Sequence, residues 1–184
     1  MSIDQNAFAV LIAKDEIREL AQLYSRAVDR RDTALLRSLF TADGTQSLGS
    51  AFQGTADELV AMLDQAMPYM RYTGHHVCNH LISVSGDQAE GEVYALVYHV
   101  LPDGKGGSVE DVTGVRYLDR YRKEHGRWRF ARRTGVFDFK RVTPIPTPEG
   151  DVPEPANDSS YSVLTSGLFA RGPRTPGRSA PEPA

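Results

Sequence analysis

The sequence predicts an α+β fold: a curved antiparallel sheet wrapped around helices as a cone-shaped α+β barrel with an internal pocket. Three observations lead there. Apolar residues recur at spacings of three and four up to Met67, at spacings of two from Tyr72 to about Lys140, and nine of the eleven prolines follow after that. Helices gathered first and long strands gathered after them form the two layers of one α+β domain.

In "AKDEIRELAQLYSRAVD" the residues Ile17, Leu20, Ala21, Tyr24, Ala27 and Val28 form one face of an amphipathic helix. "RRDTALLRSLF" restarts the pattern after Asp32 or Thr33, either of which can cap a second helix that "DG" at Asp43 and Gly44 closes. A short strand is expected around Thr45 to Leu48. Thr55 and Glu58 stand at capping-box spacing before a third helix with Leu59, Val60, Leu63 and Met67 on its buried side, and Pro68 falls at or just past its end. "HHVCNHLISV", "AEGEVYALVYHV", "VTGVRYLDRYRK" and "RWRFARRTGVFDF" then read as four strands in meander order, separated by turn residues. The expected domain spans 1–140. The Pro-rich segment 141–184 is expected to leave the sheet, to dock in part through "SSYSVLTSGLF" and to be disordered at its end.

The composition narrows the function. With 184 residues, 40% of them hydrophobic and a net charge of −3, the chain suits one domain with a proper core and lacks the basic excess of a nucleic-acid binder. One cysteine, Cys78, and an N-terminus without a secretion signal suit a reducing cytoplasm, and no apolar run is long enough to cross a bilayer. No dinucleotide fingerprint, P-loop or helical histidine pair calls for a cofactor. An open sheet face predicts a homo-oligomer, a dimer or trimer.

"TGHHVCNH" holds three of the five histidines beside that cysteine. On a regular strand His75, Val77, Asn79 and Leu81 face one way and His76, Cys78, His80 and Ile82 the other. His76, Cys78 and His80 would step about 6–7 Å apart, too far to share one metal ion, so no metal is expected. His75 and Asn79 either line a pocket that moves protons or are packed structural groups. Asp29 opposes the macrodipole at a helix end; it is either a solvated acid beside Arg30 and Arg31 or a carboxylate with another task. Tyr24 is either core or a hydroxyl in need of a partner. One of Arg132 and Arg133 must point inward unless the strand bulges, and an inward arginine needs an anion or a pocket. His99 and Asp111 fall at strand ends, where a cone would have its mouth or floor, or are simply exposed.

Together "LYSRAVDRRD", T-x-H-x-x-x-N in "TGHHVCN", G-x-x-Y-x-D-x-Y in "GVRYLDRY" and W-R-F-x-x-R in "RWRFARR" resemble the SnoaL-like branch of the nuclear transport factor 2-like superfamily, from about Asp15 to Phe139. That branch includes scytalone dehydratase, bile-acid 7α-dehydratase and hexachlorocyclohexane dehydrochlorinase. The resemblance implies Asp29 and His75 as a catalytic dyad, with Tyr24 and Arg133 assisting and His99 near a second pocket histidine. Asn79, from its place on the His75 face, and Asp111, from its strand end, are expected with His99 to contact substrate. It implies a cofactor-independent dehydratase acting on a hydrophobic hydroxylated molecule of steroid, terpenoid or polyketide type. An isomerase or polyketide cyclase using the same dyad, and a non-catalytic binding protein, remain the alternatives.

Overall fold

The computed structural model describes residues 4–146 and 154–173. Helix α1 (Gln5–Asp29) starts ahead of the periodic stretch because Asp4 caps it, its carboxylate accepting from the Asn6 and Ala7 amides. The early turns leave Phe8, Leu11 and Ile12 exposed, while the stripe from Ile17 to Val28 is buried. Asp32 caps α2 (Thr33–Ser38) through a 3.0 Å bond from the Leu35 amide. Helix α3 (Ala56–Ala66) opens with the expected Thr55–Glu58 capping box and runs into a 3₁₀ turn at Met67–Tyr69 that takes up Pro68. A last short helix, α4 (Ser160–Val163), lies in the C-terminal arm.

Six strands make one curved, open sheet: β1 (Phe40–Ser47), β2 (Gln53–Thr55), β3 (Tyr72–Ser85), β4 (Gln88–Pro102), β5 (Ser108–Glu124) and β6 (Arg127–Ile145), in the order β2-β1-β6-β5-β4-β3. β3 to β6 are the predicted meander. His125 and Gly126, both at positive φ, make the two-residue turn that joins β5 to β6.

Four findings correct the expectations. The sheet is mixed, because β1 pairs in parallel with β6; the long run through β2, α3 and the meander brings β6 back beside β1 in the same direction. The sheet does not close, and β2 and β3 are its edges. "DG" at Asp43 and Gly44 lies within β1, where the register with β6 shifts. Finally, β6 runs to Ile145, past the composition change at Lys140. Pro144 is tolerated there because it pairs only with Val109 of β5, while β1 accompanies β6 no further than Thr134. The expected disorder of the final ten residues falls outside the described residues.

The largest core cluster packs the three helices onto Ala89, Tyr121, Trp128 and Phe130 at one end of the concave face. A second, smaller cluster of Ala21, Val93, Ala95, Val97, Val115 and Tyr117 lines the middle. Beyond it the same face reaches His99 and Asp111, which stand opposite each other on β4 and β5. The apolar stripe of α1 therefore sets the helix across the concave face, with its C-terminus against β3.

Candidate active site

Asp29, the last residue of α1, meets the start of β3. Its Oδ1 lies 2.7 Å from His75 Nδ1 and accepts from the Thr73 hydroxyl at 3.2 Å, while Oδ2 accepts from the His75 amide at 2.9 Å. A carboxylate at a helix C-terminus loses about 0.3–1 kcal/mol to the macrodipole. Three donors from the neighbouring strand outweigh that. Arg30 and Arg31 do not neutralise it, since Arg30 bridges to Asp158 at 3.0 Å and Arg31 donates to the Met70 carbonyl. The side chains of His75 and Asp29 are 7% and 13% exposed, so the pair is shielded but still within reach of solvent. Beside it opens a depression of about 460 Å³, walled by Ser25 and Arg26 of α1, by Arg30 just past its end, and by His76 and Val77 of β3.

His99 places its ring edge-on to His75, with centroids 6.0 Å apart. Burial and the neighbouring His75 hold His99 below the ordinary imidazole range, opposed by Asp111 and Asp29, so it stays neutral at neutral pH. Asp111 is buried and accepts from Thr113 at 2.9 Å and from Lys140 at 2.9 Å. Burial pushes its carboxyl up, but these two partners prevail and it ionises below its usual range.

Deeper in the cone lies a second polar cluster. Arg133 is the inward arginine and is 1% exposed; Arg132 is exposed. Arg133 grips Asp119 with two hydrogen bonds, Nε to Oδ1 at 3.0 Å and Nη2 to Oδ2 at 3.1 Å. Its guanidinium lies 4.0–4.4 Å from the ring centres of Tyr117, Tyr24 and Phe130. Tyr121 donates to Asp119 at 2.8 Å, and its hydroxyl lies 3.1 Å from His80 Nε2. Burial works against the charge on Arg133, but the Asp119 carboxylate more than offsets it, so the guanidinium stays protonated. Burial also pushes the Tyr24 hydroxyl up, so it is neutral, and it accepts from Gln46 Nε2 at 2.7 Å. Among the described residues Arg133 Nη1 and Gln46 Oε1 have no hydrogen-bond partner.

The structure therefore brings Asp29, His75 and His99 together, with Asp111 across from His99, and groups Tyr24 with Arg133 further in. Asn79 joins neither cluster. A bulge between Val77 and His80 sets Cys78 and Asn79 against the single residue Tyr94, which exposes Asn79 and turns His80 inward. His76, Cys78 and His80 do not converge, and among the described residues no His, Cys, Asp or Glu group is placed to hold a metal. Gln46, Thr73, Asp119 and Tyr121 are polar partners beyond those read from the sequence. The signal for the last two was present in Y-x-D-x-Y, whose period of two puts Tyr117, Asp119 and Tyr121 on one face opposite an inward arginine.

The model of the SnoaL-like domain matches residues 9–134. The chain belongs to the SnoaL-like family. Solved structures agree on the fold. A putative scytalone dehydratase from Novosphingobium aromaticivorans aligns at a TM-score of 0.67 and 24% identity, covering 78% of this chain and 97% of that one. The hexachlorocyclohexane dehydrochlorinase LinA-type3 from Novosphingobium barchaimii aligns at 0.65 and 20%, covering 76% and 94%, and the Kfla4162 protein from Kribbella flavida at 0.65 and 18%, covering 72% and 95%. No curated protein matches the chain. The SnoaL-like domain thus contains both polar clusters, while the arm from Glu154 to Pro173 lies beyond the matched residues.

Proposed function

We propose that this SnoaL-like protein is a cofactor-independent lyase that removes water from a hydrophobic hydroxylated small molecule of steroid, terpenoid or polyketide type. The observation that carries the reading is the 2.7 Å contact between Asp29 Oδ1 and His75 Nδ1, with the other carboxylate oxygen fixed by the His75 amide. A carboxylate held in this way keeps the hydrogen on Nδ1, so that Nε2 is free to act as a base. Nε2 takes a proton from carbon, the C–O bond breaks as the C=C bond forms, and the imidazolium returns the proton to the departing hydroxyl as water. Asp29 stabilises the imidazolium in between.

The other residues take supporting roles. Tyr24, which accepts from Gln46, keeps its own hydrogen to donate, and Arg133 has Nη1 still to offer; both suit the leaving oxygen or a carbonyl that acidifies the reacting carbon. His99 is a neutral polar wall beside His75, and Asp111 with Lys140 closes that end. Ala21, Ala95 and Val97 pack as an apolar cluster behind the pair, and Val77 gives the depression beside it an apolar wall for the substrate body. An isomerase or cyclase would use the same pair without loss of water. Exposed Tyr94, Leu96, Leu118 and Phe139 on β4 to β6 fit a homo-oligomer, to be checked by light scattering, where a monomer would refute it.

The test is mass spectrometry of purified protein with hydroxylated steroids, terpenoids and aromatic polyketides in heavy water, beside His75→Ala. Loss of 18 mass units only with the intact histidine supports the lyase. Deuterium uptake without that loss would make it an isomerase, and turnover that survives His75→Ala would remove the pair from the reaction.

A further inference from the structure

The C-terminal arm, outside the family match, converges on the one helix end that carries Asp29. Arg26 Nη2 donates to Ser160 Oγ and to the Phe169 carbonyl, both at 3.0 Å, and its guanidinium lies 5.0 Å from the Tyr161 ring centre. Arg30 bridges to Asp158. Asp32, which caps α2 with one oxygen, accepts from the Gly172 amide with the other at 2.8 Å, and Arg171 donates to the Arg31 carbonyl at 3.3 Å. Leu168 packs onto the main core cluster.

Arg26 and Arg30 flank Asp29 in sequence and line the same depression as Asp29 and His75. Residues three apart on a helix are neighbours, and the residue just after Asp29 carries a side chain long enough to turn back toward it. Left free, either guanidinium would find a carboxylate that is 13% exposed and would compete with His75 for Oδ1. The arm supplies other acceptors for both. We propose that residues 154–173 are a positioning element for the Asp29–His75 pair, which they protect by holding Arg26 and Arg30 away from the Asp29 carboxylate. This rests on the pair as the reacting centre, but its test reads the pair's geometry without any substrate, so the two ideas fail separately.

The probe is the Nδ1 hydrogen of His75, which a 2.7 Å bond to a carboxylate moves to low field in the proton NMR spectrum. In the full-length chain, Leu168→Asp places a charge against the core and releases the arm; Asp158→Arg does so independently by setting a third cation against Arg26 and Arg30. Release is read as new chymotrypsin cleavage after Tyr161 or Phe169, both half-buried while the arm is docked. The low-field signal should be lost in both variants and recovered when Arg26→Gln and Arg30→Gln are added to either. A signal that persists after release would overturn the proposal. So would a signal that stays lost after both arginines are neutralised, since the arm would then only brace the helix end.

Discussion

The two polar clusters of this small cone use the same residue types to opposite ends. At the centre, Arg133 and Asp119 are 1% and 3% exposed, locked by two mutual hydrogen bonds, a tyrosine donor and three aromatic faces. At the rim, Asp29 is also satisfied, but the His75 ring uses only one of its nitrogens, Nδ1, on it and stands beside an open depression and a second, neutral imidazole. Where two charges are buried and grip each other they hold the fold together, and only Arg133 Nη1 is left over at the centre. Where the pairing stops at one ring nitrogen, the other nitrogen is left for chemistry.

Substitutions should separate the two clusters. His75→Ala is expected to lower turnover by about 10²–10⁴-fold, the usual weight of a general base, while the protein stays folded by circular dichroism. Asp119→Ala is expected to act on the fold instead, costing about 3–5 kcal/mol in urea unfolding because it leaves the Arg133 charge buried and unpaired. Equal loss of stability from both would erase the distinction between the clusters.

His80 sharpens the comparison by pH. Burial, with Arg133 and Arg18 nearby, lowers it from 6.5 to about 4, so the folded protein keeps it neutral. Well above pH 6.5 neither state binds the proton and the group has no effect. As pH falls toward 4 the unfolded chain takes up the proton first, and stability drops, by about 1 kcal/mol after allowance for partial exposure. Unfolding at pH 7.5 and 4.5 should show a smaller drop in His80→Gln. The smallest effect is expected at Asn79, exposed on the bulge: Asn79→Ala should change stability by less than about 0.5 kcal/mol and leave turnover intact.

What could be read in advance followed from local periodicity. The α1 stripe, the Thr55–Glu58 box and the β3 to β6 meander each depend on residues a few positions apart, and each formed as read. The parallel pairing of β1 with β6 joins segments some ninety residues apart, as at Phe40 and Phe130, and leaves no local trace. The bulge after Val77 contains neither glycine nor proline, so nothing in "VCNH" announces that the inward face passes from Asn79 to His80. Arg132 and Arg133 are equivalent in sequence; only the register that sets Arg133 opposite Asp119 tells them apart.

The claim on which the functional reading depends is that Asp29 fixes His75 with hydrogen on Nδ1 and a bare Nε2. Long-range ¹H–¹⁵N correlation NMR of the uniformly labelled protein at neutral pH reads this directly. The account predicts one protonated nitrogen, assigned to Nδ1 and lost as a single species in Asp29→Ala. Hydrogen on Nε2, or fast averaging over both nitrogens in the intact protein, would contradict it.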